Sequence, residues 1–596
     1  MKFTNLSLVL VLCSPFLFSE EKQYDEVVTV VSKVAKEYYK VTSTIDLVDI
    51  QKLQLYQPES IMNLLSNNLG IDTSSNGGPG QVASVFLRGS NSNHTLVKIN
   101  GVKINPSTAG GASIYNLDTA LVSNVEIGSG PLSSIHGSEA IGGVINISTR
   151  NNSQEDSATI GYGAGPDSHS KYFFQGTLSS GNNTYNITFL ERDSEGFPSL
   201  SNSNIDRGYE NESFIGDWTY SKERIDLALS TWSSKGNVEY LVFGSPVSQD
   251  YKNEANAAEF VYESNSNFLM MLNLNSAKDF IEQNNPNFLN VLDLTKTNRN
   301  SYELLIHRPY KDLVSYSAGY VLEDERVDYS SYGTIFKKNL ETEAIFSTFE
   351  YATNTNSFIA SLRNSNHEIY GDQLSWNLGF LRNINKIWSV KLAAGEAFRS
   401  PNSSELYGFG SNLNLKPEES RSREVSLTRR NSINSFRVVY FVNDALNLIN
   451  FDYADYVLKN IQRSTNSGVE IRYNWLGLNF DGNLIVRTQN PKDQDGNKLL
   501  RRSKNSVSIN ILKEISGYNM GINFSAFDQK VDFGNLQLPG YGLVNMTFRK
   551  EVSETLVASF KIENLMDKDY FTAASSNSYY LNQDRSFWLK FNYKLR

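Results

Sequence analysis

The chain has 596 residues, of which 40% are hydrophobic and 20% charged, and its mean hydropathy is -0.38. That length exceeds one ordinary soluble core, and the low hydropathy argues against a bundle of membrane-spanning helices. A net charge of -9 and a pI of about 5.4 disfavour a phosphate-binding surface, so no nucleic-acid partner is expected.

The only long apolar run is Leu6 to Phe18, which follows Lys2 and ends at Ser19-Glu20-Glu21. It has the form of a secretory signal over residues 1–19. The single cysteine, Cys13, lies inside it. Leu12 is a poor neighbour for a lipoprotein cysteine, so ordinary cleavage is expected, leaving a chain without thiols or disulfides. Next comes Tyr24-Asp25-Glu26-Val27-Val28-Thr29-Val30-Val31-Ser32. A short β-branched segment of this kind can add to a partner's sheet edge through main-chain hydrogen bonds. On residues alone it reads equally as the first strand of the next domain.

Ile61, Leu64, Leu65 and Leu69 recur at helical spacing, and Gly70 stands where a helix would stop. Asn76-Gly77-Gly78-Pro79-Gly80-Gln81 is a loop. Ser84 to Ser90 is apolar apart from small residues and Arg88, for which a buried role tied to carboxylates is expected. In Val97 to Ile104 alternating apolar residues flank Asn100-Gly101, the signature of a hairpin with a type I′ turn. Gly137 opens a last segment in which Gly142-Gly143 permits close backbone approach before the strand Val144 to Ile147.

Composition changes after Arg150. Asn151 to Asp156 is a polar linker, and beyond it run alternating strands. Tyr518, Met520, Ile522, Phe524 and Ala526 share one face while Asn519, Gly521, Asn523 and Ser525 share the other. Leu556 to Ile562 and Phe587 to Leu595 repeat the pattern. A soluble β-sandwich gives the same local signal. An uninterrupted run over 151–596, with 32 Tyr and 33 Phe in the chain, suits a transmembrane barrel with aromatic girdles. Phe524 and Phe560 are then expected to face lipid. Asn523 is expected to face the lumen, where an added charge should be milder.

Taken together, Ser84 to Ser90, the Asn100-Gly101 hairpin and Gly137 to Ile147 resemble the plug of TonB-dependent outer-membrane receptors, most closely the cobalamin (BtuB-like) branch. Phe398-Arg399-Ser400-Pro401, Asn414-Leu415-Lys416-Pro417-Glu418 and Glu563-Asn564-Leu565 to Tyr570 extend the resemblance along the chain. It implies an all-β barrel of about 22 antiparallel strands, allowing about 20 residues for each strand and its connection. It also implies an α+β plug over residues 41–150, a periplasmic segment over 20–40 and a barrel over 151–596. Glu26, Val27, Val28, Thr29, Val30 and Val31 would form the box gripped by the TonB-ExbB-ExbD energy-coupling complex. Arg88, Gly89, Asn100, Gly101, Gly137, Gly142 and Gly143 would be structural plug residues. The terminal Tyr593-Lys594-Leu595-Arg596 departs from the aromatic end usual in such barrels.

No HExxH, Walker loop or Gly-x-Ser-x-Gly elbow is present among the motifs, and the five histidines form no compact set, so an enzyme is not expected. The resemblance points to a monomeric importer in outer-membrane lipid. A passive porin or adhesin, the competing class, needs neither box nor plug. No cofactor is expected, apart from calcium as a candidate at Asp193, Glu195, Asp206 and Glu210, acids that also suit ordinary solvated hairpins. For the ligand, Asn402 to Asn412 holds no histidine for haem iron. Tyr407 could ligate iron but is equally an aromatic contact. The loops Gly77 to Ser84 and Ser107 to Ser113 hold no cation for an anionic siderophore. Cobalamin or a related corrinoid, contacted by Gln81, Val82, Ala83, Ser84 and Asn91, is the expectation, with siderophore or haem as alternatives.

Overall fold

The structure, a computed structural model, describes residues 27–150, 155–242, 245–265, 268–284, 292–310, 313–331, 333–477, 480–575 and 578–595. The expected signal 1–19, Glu26 of the box and most of the linker after Arg150 lie outside these residues.

The second part of the chain is a closed antiparallel barrel of 22 strands. Its last strand, Ser586–Leu595, pairs with its first, Ser157–Ala164, so no edge is left open. Alternation decides which face each residue takes. Phe524 is 37% exposed on the outer face, with Ile522, Phe560, Phe587, Leu589 and Phe591 also exposed. One end of the barrel carries tight turns, such as 181–182, 223–224 and 516–517. The other carries the long connections 400–417, 490–504, 528–540 and 564–585. That asymmetry is the mark of short periplasmic turns and longer outer loops.

Inside sits a sheet of five strands, in the order Ile45–Asp49, Asn124–Ser129, Gly143–Ser148, Thr95–Ile99 and Val102–Lys103. Only Thr95–Ile99 and Gly143–Ser148 run parallel. Asn100 (φ 49°) and Gly101 (φ 86°) both take positive φ, as a type I′ turn requires. A Cβ on Gly143 would lie 2.3 Å from Gly128 O, and one on Gly142 would lie 2.2 Å from Ser90 Oγ. Those two positions hold the sheet against the Arg88 turn. The helical stretch starts as an α-turn, Ile61–Asn63, and continues as a π-turn, Leu64–Asn68, ending at Gly70 with φ 62°. The widened turn still buries Ile61, Leu64, Leu65 and Leu69 in the plug core.

The plug is bonded firmly to the wall that runs from Glu418–Arg430 to Tyr541–Glu551. Arg437, Arg472 and Arg487 converge on Asp46 at 2.6, 3.0 and 3.3 Å. Arg88 donates to Glu424 at 2.7 Å and to Glu470 at 3.0 Å, and its guanidinium lies 4.7 Å from the Phe441 ring centre. Asn68 Nδ2 donates to Asn510 Oδ1 at 2.7 Å, and Ser506 Oγ to Gly70 O at 2.8 Å. Here one expectation needs correction. Asn523 does not face a tolerant lumen. It is 9% exposed, and its amide donates to Asn67 O at 2.8 Å and to Asn510 Oδ1 at 2.9 Å. The barrel interior at this depth is plug, not solvent.

Candidate functional site

Two regions carry the functional geometry: the N-terminal strap at the short-turn end and the plug apex beneath the long loops. In the strap, Val27–Val28 pairs antiparallel with Lys36–Glu37 across a turn at Thr29 to Lys33. The edge-seeking segment is thus already paired with its own chain. The Glu126 carboxylate accepts from Thr29 N at 3.0 Å and Val30 N at 2.9 Å, and His136 Nε2 donates to Val30 O at 2.7 Å. Burial pushes the Glu126 carboxyl up despite those two donors, and burial beside Lys98 and Lys33 pushes the His136 imidazole well below its usual range. Val28, Val30 and Val31 are buried with Ile45, Leu96, Leu132 and Val144. Beyond the turn, Lys33 pairs with Glu303 and Lys36 with Glu350 on the barrel wall.

At the apex, the loop Asn76 to Gln81 joins Asp72–Ser75 to Ala83–Phe86. Gln81 is 5% exposed, and its amide donates to Ser199 Oγ at 2.6 Å and Glu239 O at 3.3 Å. It faces the barrel loops. Val82, 54% exposed, is the open residue of the group, with Ala83 and Ser84 half-buried beside it. Asn91 accepts from Arg502 Nη2 at 2.7 Å. Ser75 N donates to Thr572 Oγ1 at 3.1 Å, and Leu581 N bonds Ser199 O at 3.0 Å, so the outer loops form a roof tied to the apex and to each other. The plug loops lack cations, yet the barrel brings Arg501 to Asn76 and Arg502 to Asn91. Arg207 stands buried nearby, with Nε and Nη2 free of protein partners. The sequence hint was the pair Arg501-Arg502; nothing local told that it overhangs the apex.

The motif Phe-Arg-x-Pro has a structural explanation that the sequence did not disclose. Arg399 donates through Nη1 and Nη2 to Glu405, both at 2.9 Å, and pairs with Glu418. Glu418 also meets His94 Nε2 of the plug at 2.9 Å and accepts from Ile449 N at 2.7 Å. Ser107 Oγ lies 3.0 Å from Ser403 Oγ. Strand end, loop helix, return strand and plug are thereby locked at one buried point. Tyr407 is an aromatic contact, 5.6 Å from the Phe336 ring with Lys338 at 4.5 Å.

The remaining plug residues occupy turns and contacts. Gly89 follows Arg88 with φ 71°, and Gly137 (φ 87°) sits against Arg363. Asn100 bonds Thr149 through both side-chain atoms. The four acids considered for calcium are all exposed. Asp193 and Glu210 oppose each other, whereas Glu195 and Asp206 fall beyond or within a register shift between Ser194 and Phe197. Glu195 accepts from Ser168 Oγ at 2.8 Å. Among the described residues no group of three or more His, Cys, Asp or Glu is placed to hold a metal ion.

A closed barrel filled by an N-terminal plug, with a docked strap at one end and a looped roof at the other, defines a gated outer-membrane receptor. The family models for the TonB-dependent receptor plug domain and for the TonB-dependent receptor-like beta-barrel match residues 38–144 and 145–565, and the chain belongs to this family. It is 26% identical over 605 residues to the vitamin B12 transporter BtuB of Vibrio vulnificus, covering 97% of each chain. It is likewise 26% identical to the BtuB of Photobacterium profundum over 100% of both. Among solved structures it resembles the siderophore receptor PirA of Acinetobacter baumannii, with TM-score 0.81, 14% identity and coverage of 95% and 100%. The ferripyoverdine receptor of Pseudomonas aeruginosa gives TM-score 0.80, 14% identity and coverage of 96% and 89%. The protein is a TonB-dependent transport receptor of the Gram-negative outer membrane and not an enzyme.

Proposed function

We propose that this receptor imports cobalamin or a related corrinoid. The observation that carries the reading is end-to-end similarity to proteins named vitamin B12 transporters. The plug stretch Val82 to Ser84, open at Val82 and itself uncharged, agrees with it, because a large neutral ligand rich in amides needs no charged partner there. Residues 26–31 are the segment taken by TonB, and the docked strap is the resting position of residues 27–31. Strand addition by TonB requires Val27 and Val28 to leave Lys36 and Glu37 and the Glu126 and His136 contacts to break. A second reading, an anionic iron chelate, draws on Arg207, Arg501 and Arg502 around the apex.

Titrating the purified receptor with cyanocobalamin, a cobinamide, haemin and ferric siderophores separates the two. Saturable corrinoid binding is expected; binding confined to haemin or an anionic siderophore would overturn the corrinoid reading. Val28→Pro removes a main-chain donor from the box. Cells carrying it should bind ligand at the surface and fail to accumulate it, and normal accumulation would remove the box assignment.

A further inference from the structure

A cavity lies between the plug and the barrel strands Leu292–Tyr310, Val314–Ser331 and Asn356–His367. Its lining is basic. Lys33 comes from the strap, Lys98 and Lys103 from the plug sheet, and Arg299 and Arg363 from the barrel. Each belongs to a different segment, so folding gathers these charges and no local run of like residues does.

Four carboxylates stand in reach, and three of the cations use them all. Lys33 pairs with Glu303. Lys103 reaches Glu139 at 3.0 Å and Glu323 at 3.4 Å. Arg299 meets Glu323 at 3.2 Å and pairs with Glu325. Lys98 and Arg363 are left without an ion pair among the described residues. Their like charges also act on one another across the cavity. Arg363 is 5% exposed; its Nε donates to Ser365 Oγ at 2.9 Å, and its Nη1 has no protein partner. The Phe346 ring, 5.7 Å from that guanidinium, has Lys33 at 4.4 Å as well, so one ring serves two cations.

Cavities along the other wall are charged differently. In the one beside Gly70 and Phe86, both cations are paired, Arg88 with Glu424 and Glu470, and Arg487 with Asp46 and Glu470. The one beside Asn63, Asn67 and Asn68 has a single cation, Lys561, which pairs with Glu563. Unmatched positive charge, and not empty space or an orphaned polar atom, sets the basic cavity apart. A buried cation without a counter-charge is costly, so a bound anion is stabilised there.

We propose that this cavity binds a small inorganic oxyanion, of the phosphate or sulfate class, between Lys98 and Arg363. A guanidinium fork and an ammonium together donate several hydrogen bonds to the oxygens of one such ion. Lys98 lies in the plug strand Thr95–Ile99 and Arg363 in the barrel strand Asn356–His367, with Gly137 of the plug against the guanidinium. The bound ion therefore joins plug to wall through two cations that have no acid of their own, and it stabilises the plugged barrel by mass action. The site is independent of which ligand the receptor imports.

Purified full-length receptor in detergent is titrated with sodium phosphate against sodium chloride at constant ionic strength. Calorimetry should show saturable phosphate binding, and hydrogen exchange in residues 95–99 and 133–137 should slow as the site fills. Equal protection by chloride, or phosphate heat that never saturates, overturns the site. Arg363→Gln and Lys98→Gln should each weaken phosphate binding at least about tenfold, the loss expected when a charged donor is removed. Without phosphate, both variants should hold the plug at least as firmly as the unaltered receptor, because the cation removed had no acid to satisfy. Plug release at lower urea from both variants in phosphate-free buffer marks a purely structural pair of cations and overturns the proposal. Lys561→Gln, at a buried lysine that already has its acid, should leave phosphate affinity unchanged. A matching loss there marks diffuse charge attraction and overturns the site as well.

Discussion

The plug meets two walls of the barrel in different ways. Toward the strands from Glu418–Arg430 to Tyr541–Glu551 it presents matched groups: Asp46 among three arginines, Arg88 between two glutamates, and asparagine amides on backbone carbonyls. Toward the strands from Ser245–Glu263 to Val314–Ser331 it bonds through different segments, the strap by Lys33 to Glu303, the hairpin by Lys103 to Glu323 and the loop residue Ser113 to Asp279, and cavities lie along both walls. Matched buried networks hold one arrangement, and the two walls differ in which plug segments they hold: the sheet and helical turn on one, the strap and hairpin on the other. The difference teaches that the strap can leave one wall while the plug sheet stays bonded to the other.

The largest effect should come from the anchored side. Arg88→Met leaves Glu424 buried without its cation and Glu470 with Arg487 alone at 3.5 Å, and loss of one partner of a buried pair costs about 3–5 kcal/mol. Urea titration of plug release in detergent measures it; a change below about 1 kcal/mol would show the anchoring to be dispensable. Next comes Phe524→Arg, on the outer face of the same wall. It should cost about 2–4 kcal/mol if it lies near the bilayer midplane, read as folding into lipid vesicles. Asn523→Arg, its inward neighbour, should instead insert normally and weaken plug retention. Poor insertion of Asn523→Arg with easy insertion of Phe524→Arg would invert the facing. The smallest effect belongs to the strap side. Glu303→Gln removes the partner of Lys33 and should cost about 1–3 kcal/mol, seen as faster hydrogen exchange in residues 29–37. Were Glu303→Gln to match Arg88→Met, the two walls would not differ as described.

Much of the architecture was legible because its signals are local. Period-two alternation placed Phe524 and Phe560 outward, and Asn100-Gly101 named its own turn. The anchoring and the strap contacts were not legible. Glu126 and His136 hold the backbone of Thr29 and Val30 from far along the chain, and Asp46 meets arginines near residues 437, 472 and 487. No periodicity links positions so distant, and a lone acid in an apolar strand looks the same whether or not three cations await it. Asn523 points inward as expected, and its plug contacts were hidden for the same reason. Alternation tells inside from outside but does not tell what fills the inside.

Barrel closure between Ser157–Ala164 and Ser586–Leu595 also bears on how the molecule is assembled. The strands that seal the ring are the first and the last of the barrel, so sealing waits on synthesis of Ser586–Leu595 and brings together residues separated by nearly the whole barrel sequence. Contacts of that separation are slow to form, because loop-closure entropy must be met before they contribute. The plug precedes every strand in the chain and is hydrogen-bonded to strands of the second half. A chain with an unsealed ring can lay those strands around the plug one hairpin at a time. Once sealed, the ring offers no lateral entry, so enclosure of the plug is an event of biogenesis.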